Sequence, residues 1–197
     1  MLIAVDEFIS LDGVVQAPGG AEEDTDGGFR HGGWSMQFFD PEVMGPTFGE
    51  MSQRTDALLY GRRTWRVMAD AWPGRAGDPF ADWINGVQKY VVTNTLTEAD
   101  IDWQPTTRIR GDNIVDAVAD LRARPGGEVH VLGSAQLVRT LLANDLVDEL
   151  NLMIEPIVLG GGKSIYPTDG IARSFELVST KPAATGVQVS QYRRVSS

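Results

Sequence analysis

Short apolar runs, broken by glycine, proline and acidic turns, recur along the chain, and their lengths and periods separate strands from helices. Leu2-Ile3-Ala4-Val5 is short, apolar and partly β-branched, as a buried strand requires. Phe8 to Val15 continues as strand material around the turn signal Asp12-Gly13. From Gln16 to Gly33 the chain is rich in Gly, Asp and Glu. It has little to bury there and reads as a mobile surface loop. Trp34, Phe38 and Phe39 then return apolar mass to a core or pocket. Asp40-Pro41-Glu42 is a helix start, with aspartate as N-cap and proline at the first helical position, and Gly45-Pro46 weakens or kinks the helix beyond it.

The strand Ala57–Tyr60 empties at Gly61 into Arg62-Arg63-Thr64-Trp65, with a helix expected behind it. Loops run from Trp72-Pro73-Gly74 to Asp78-Pro79, and Trp83, Ile84 and Val87 suit a short helix. Lys89–Val92 is a strand ending in the polar turn Thr93-Asn94. Asp112 is expected to cap a helix whose Ile114, Ala117, Val118 and Leu121 share one face. Val129–Leu132 is a strand, Gly133-Ser134 a turn, and Ala135–Ala143 a helix. Leu150–Ile154 and Pro156–Leu159 are further strand material, stopped by Gly160-Gly161-Gly162. Phe175–Thr180 and Val187–Tyr192 close the chain as an antiparallel pair, because only a short connection separates them. Alternating strands and helices with a closing pair, and no repeat or low-complexity linker, predict one α/β domain over residues 1–197, its sheet largely parallel with an antiparallel edge.

Charge narrows the partners. The net charge of -10 at pH 7 opposes binding to nucleic acid or anionic membrane. Its distribution matters more than its sum. Residues 1–50 carry ten acids and one base, whereas residues 51–197 carry seventeen acids and sixteen bases, so a local cationic pocket is plausible in the body. Without cysteine there are no disulfides, thiolate metal sites or cysteine nucleophiles, and two histidines, His31 and His130, cannot build a multi-histidine metal site. Asp6 and Glu7 interrupt the N-terminal apolar run before it resembles a secretory signal, and no apolar stretch approaches the ~18 residues of a membrane span. The chain reads as soluble and cytoplasmic.

Three strand ends run into donor-rich turns: Gly61-Arg62-Arg63-Thr64, Thr93-Asn94 and Gly133-Ser134-Ala135-Gln136. In open α/β sheets ligands collect outside the carboxyl ends of the strands, and helix starts with adjacent guanidiniums suit phosphate. The usual owners of such a site are missing. No G-x-G-x-x-G occurs, and Gly160-Gly161-Gly162-Lys163-Ser164 lacks the earlier glycine of a phosphate loop, with Ile157 in its place. A Ser-His-Asp hydrolase is also disfavoured: His130 lies in an apolar strand, as a satisfied core histidine would, and no G-x-S-x-G elbow is present. The carboxylates Glu22, Glu23, Asp24 and Asp26 sit in the loop and read as solvent-facing.

Five motifs in register resemble the dihydrofolate-reductase superfamily, and their order and spacing resemble the riboflavin-biosynthesis reductase C-terminal domain in particular. They are Ser10-Leu11-Asp12-Gly13, Tyr60–Trp65, Val131–Leu137, Leu146–Leu150 and Pro156–Gly162. The resemblance covers essentially the whole chain and implies a three-layer fold with helices on both faces of a mostly parallel sheet. It also implies an NADPH site and a homodimer. The Gly61-Arg62-Arg63-Thr64 turn would hold phosphates including the adenosine 2′-phosphate, and Thr93-Asn94 would lie by the adenosine ribose. Gly133, Ser134, Ala135, Gln136 and Leu137 would cradle the pyrophosphate, and Ala4 and the Leu11–Gly13 region would face the nicotinamide. Where members commonly carry two glycines this chain has Gly133-Ser134, and no cysteine or histidine set for a zinc deaminase half exists.

The reading is an NADPH-dependent reductase of a small heterocyclic or carbonyl substrate, with 5-amino-6-(5-phosphoribosylamino)uracil reductase as one candidate class. A non-catalytic nucleotide-binding or scaffold protein is the alternative. Asp12 is the first choice to donate the proton or anchor substrate, with Glu155, Tyr60 and a bound water as alternatives. Trp34 either covers the substrate or fills the core. The Leu150–Leu159 region and the closing strands are the expected edge for a second copy.

Overall fold

The computed structural model describes residues 1–195. Strands β1 (Leu2–Ser10), β2 (Thr55–Gly61), β3 (Gln88–Val92), β4 (Thr106–Ile109), β5 (Glu128–Val131), β6 (Glu149–Glu155), β7 (Phe175–Pro182) and β8 (Gln188–Arg194) form one eight-stranded sheet, in the order β4-β3-β2-β5-β1-β6-β8-β7. All pairings from β4 to β6 are parallel, while β6–β8 and β7–β8 are antiparallel. The helices are α1 (Pro41–Arg54), α2 (Arg62–Ala71), α3 (Pro79–Gly86), α4 (Ile114–Ala123) and α5 (Ala135–Ala143).

Alternation along the strands feeds two cores. Leu59, Val5, Val129 and Val131 pack with Val118 of α4 and Leu137, Val138 and Leu141 of α5. Their sequence neighbours Leu58 and Tyr60 point the other way, to Trp65 of α2 and Ile84 of α3. A third cluster seats Met44 of α1 with Met153, Ala183 and Val187. Helices therefore cover both faces of the sheet, as a buried parallel sheet requires.

Most predicted elements are present, and the differences have local causes. β1 is one strand through Ser10 rather than two. α1 begins where expected, with the Asp40 carboxylate accepting from Glu42 N–H at 3.0 Å, but it continues through Pro46, held by the buried Met44 and Met51. The cap of α4 is Asn113; Asp112 instead pairs with Arg110. β4 has no counterpart in the apolar pattern, being four residues, TTRI, of which only Thr106 is fully buried. Pro156–Leu159 is not a strand. Ile157 N–H turns back to Glu155 O, and the Leu159 and Gly160 amides are taken by Asp12. β6 lies inside the sheet between β1 and β8, so it offers no edge; the edge on that side is β7, where Leu177 and Val178 are exposed.

Candidate functional site

Strand β2 ends against the turn that follows β5. Gly61 N–H donates to Gly133 O at 3.1 Å. A Cβ on Gly61 would overlap Ser134 Oγ and lie 3.0 Å from Ser134 Cβ, so this approach admits only glycine. Gly133 has φ +85°, whereas Ser134 has an ordinary φ of −84° that a serine adopts freely. Gly61 and Ser134 are the N-caps of α2 and α5, and neither helix start is closed by a side-chain cap. Both therefore present unpaired N–H groups and positive dipole ends to the same place.

That place is a cleft of about 1750 Å³. Its wall contains all three strand-end turns singled out in the sequence: Gly61–Thr64, Thr93-Asn94 and Gly133–Leu137. The side chains of the middle turn serve the fold. Thr93 Oγ1 accepts from the Thr95 and Leu96 amides, and Asn94 Oδ1 accepts from Gly111 N–H at 2.8 Å.

The acidic loop is not a loose segment. The Gln16 side chain donates to the carbonyls of Asp24 and Asp26 and accepts from Lys163 N–H, and Trp34 Nε1 donates to Gln16 O at 2.8 Å. Glu23 accepts from the Gly19 and Gly20 amides. Asp24 and Asp26 both pair with Arg63 and with Lys163, all four lining the cleft, so these carboxylates are not simply solvent-facing. The two arginines therefore differ. Arg63 is neutralised by the loop, whereas Arg62, also on the wall, has no ion-pair partner among the described residues.

The acids divide by environment. Asp12 stands outside the cleft lining with its carboxylate accepting from Ser10 Oγ (2.6 Å), Leu159 N–H (3.1 Å) and Gly160 N–H (2.8 Å). Those bonds, the Ser10 hydroxyl first, hold its pKa down at about 2. That geometry makes Asp12 a clamp on the turn after β1, with its carboxylate held in the ionised form. Glu155 is fully buried one hydrogen bond behind the wall: the Ser35 hydroxyl, which does line the cleft, donates to its Oε1 at 2.5 Å. Burial lifts the Glu155 pKa to about 7. Tyr60 is buried in the α2–α3 core, its hydroxyl raised far above the usual range, and does not reach the cleft. Ala4, fully buried between His130 and Glu149 of the flanking strands, and the exposed Leu11 are also not on the wall. Trp34 is core, 4% exposed, rather than a cover over the cleft.

Two cleft acids lay unused in the sequence, Asp6 and Glu7 of β1. Asp6 Oδ2 meets His130 Nδ1 at 2.6 Å, and its Oδ1 accepts from Asn151 Nδ2 at 3.0 Å. His130 Nε2 meets Glu128 Oε2 at 2.8 Å, and Glu128 Oε1 accepts from Arg54 at 2.9 Å. Burial opposes a charge on His130, but the two carboxylates outweigh it and raise its pKa to about 9. His130 is the satisfied core histidine expected, and an imidazolium that donates both N–H groups. Glu7 has no such partner: its Oε1 is buried without a hydrogen bond. The available signal was a pair of acids inside a strand otherwise apolar on both sides.

A model of the RibD C-terminal domain matches residues 2–189. The chain belongs to the RibD C-terminal domain family. The uncharacterized protein YyaP of Bacillus subtilis (strain 168) is 28% identical over 190 residues, covering 94% of this chain and 90% of its own length. Among solved structures, a protein of Shewanella sp. PV-4 provisionally assigned to riboflavin biosynthesis superposes over 100% of both chains, with TM-score 0.76 at 23% identity. Dihydrofolate reductase from Enterococcus faecalis, complexed with NADP(H) and RAB-propyl, matches 99% of this chain and 97% of its own, with TM-score 0.62 at 15% identity. The fold of this RibD C-terminal domain member is therefore dihydrofolate-reductase-like.

Proposed function

We propose that this RibD C-terminal domain member is an NADPH-dependent reductase of a small heterocyclic or carbonyl compound, of the 5-amino-6-(5-phosphoribosylamino)uracil reductase type. One observation carries the reading: the uncapped N-termini of α2 and α5 and the unpaired Arg62 open onto a single cleft whose wall also holds the buried acids Asp6 and Glu7. The donors suit the phosphates of a dinucleotide, with Gly61–Thr64 and Gly133–Leu137 holding them and Thr93-Asn94 beside the adenosine ribose. At about 1750 Å³ the cleft exceeds the roughly 300–1,000 Å³ of a typical single-ligand pocket, leaving room for a substrate beside the cofactor. A bound dihydronicotinamide supplies the hydride; the chain orients both partners and excludes water. Ser35, backed by Glu155, is placed to hydrogen-bond a polar group of the substrate.

Trp72 lines the cleft and reports occupancy. Titration with NADPH should quench tryptophan fluorescence at micromolar cofactor, with NADH far weaker, and NADPH should be oxidised by a member of a pyrimidine, pterin and carbonyl panel. Equal affinity for the two cofactors would overturn the selectivity, and NADPH binding with no oxidation across the panel is the result expected of the non-catalytic alternative. A cytoplasmic homodimer built on the exposed β7 edge completes the proposal; a monomer by sedimentation at tens of micromolar would remove the dimer.

A further inference from the structure

We propose that Glu7 is the proton donor of the reduction, delivering its carboxyl proton from the cleft wall to the substrate heteroatom. This rests on the reductase reading above and goes beyond it by assigning the acid.

Glu7 is 8% exposed and lies on the cleft wall, and its Oε1 has no hydrogen-bond partner. A Cβ built on Gly133 would lie 3.7 Å from Glu7 Oε1 and 3.2 Å from Thr64 Oγ1, so the carboxyl stands over the turn where the starts of α2 and α5 converge. A buried carboxylate left unpaired there would be costly, and the group avoids that cost by keeping its proton. Its surroundings agree. Asp6 on the same strand and Glu23 from the loop repel a charge, and the Tyr166 hydroxyl in turn feels Glu7. His130, behind Asp6, is already shared between Asp6 and Glu128, and Arg63 is committed to Asp24 and Asp26. No cation among the described residues pairs with Glu7, although the two helix N-termini and Arg62 share its cleft. Burial first, then Asp6 and Glu23, hold the Glu7 pKa well above the ordinary carboxylate range. The rivals fail on placement or charge: Asp12 is ionised and outside the cleft, and Glu155 reaches it only through Ser35.

In the step, hydride from a reduced nicotinamide forms a C–H bond at the carbon of a C=N or C=O group, and the π pair moves to the heteroatom. The Glu7 O–H bond breaks as the heteroatom–H bond forms. The nicotinamide is oxidised by two electrons, the substrate is reduced by two, and Glu7 regains its proton from solvent through the cleft.

The test combines a titration with kinetics. In protein carrying glutamate labelled with ¹³C at the side-chain carboxyl, the resonance lost in Glu7→Gln should remain protonated at pH 7. A midpoint near the ordinary 4.5 overturns the proposal, whatever the fate of the reductase reading. Glu7→Gln, neutral and nearly isosteric with the protonated acid, should retain NADPH fluorescence quenching. With a substrate that the wild type reduces, it should lose about 10²-fold or more in kcat with KM little changed, and lose the alkaline limb of the pH profile. Glu155→Gln should keep that limb. An unchanged kcat or an unchanged alkaline limb in Glu7→Gln overturns the proposal. Failure of the wild type to bind NADPH instead brings down the reductase reading and the donor role with it, while the NMR titration still reports the protonation state independently.

Discussion

Gly61 and Ser134 stand so close that a single methyl on the first would strike the hydroxyl of the second. The contact locks the end of β2 to the turn after β5 and thereby sets two helix starts side by side. Gly61→Ala should destabilise the fold by about 1–3 kcal/mol through overpacking and weaken NADPH binding. Ser134→Gly in the same chain removes the Oγ and Cβ and should recover most of the loss. Urea unfolding of the two single variants and the double variant measures the coupling.

The two neighbouring arginines should not behave alike. Arg62→Ala should cost roughly 1.5–3 kcal/mol of NADPH affinity, the usual worth of a hydrogen bond to a charged group. Arg63→Ala should cost less, because Arg63 must first leave Asp24 and Asp26. Asp24→Asn with Asp26→Asn should tighten NADPH binding by freeing Arg63 and Lys163. Fluorescence titrations at fixed ionic strength would separate these cases; an equal loss at both arginines would contradict the pairing.

Stability should fall from mildly acid to alkaline pH. The folded pKa of His130 is raised to about 9, so its contribution is complete below the unfolded value near 6.5 and is lost as pH rises through 9. The loss is of order 2–3 kcal/mol. Glu7 and Glu155 act in the same direction, since each carries a raised pKa and resists the ionisation that the unfolded chain completes just above 4.5. Denaturant unfolding at pH 6 and pH 9 should show the fall in wild type, and His130→Gln should remove most of its upper part.

Asp12→Asn should leave hydride chemistry intact. Its carboxylate ties the turn after β1 to Leu159 and Gly160, so the variant should lose a modest amount of stability, with kcat on any identified substrate within about twofold, small beside the 10²–10⁴ of a true general acid. A kcat loss comparable to that of Glu7→Gln would reinstate Asp12 as a donor.

Local signals on the chain were sufficient for much of the frame. The Asp40-Pro41 start, the one-face spacing of Ile114, Val118 and Leu121, and the span of α5 are properties of neighbours three or four residues apart, whereas Asp78-Pro79, which reads as loop, caps α3. The three donor-rich turns were legible for the same reason, since a strand that stops at glycine before a helix advertises free amides. Other features depended on partners far along the chain. Pro156–Leu159 has strand composition, but the Leu159 amide and that of Gly160 behind it are captured by Asp12, more than 140 positions away. The 16–33 segment has the composition of a loose loop, yet charges on Arg63 and Lys163 and the side chain of Gln16 hold it.

The sequence by itself determined the α/β alternation, the parallel sheet with its antiparallel end and the donor-rich turns that line the cleft, because hydrophobic period and turn chemistry are local. Only the tertiary structure decided which acid keeps its proton. Glu7, Asp12 and Glu155 are the same functional group in the chain; burial, three donors or a serine make them different acids. A carboxyl's proton is set by solvent and charges within a few ångströms, and those neighbours are assembled from strands and loops that the chain keeps far apart.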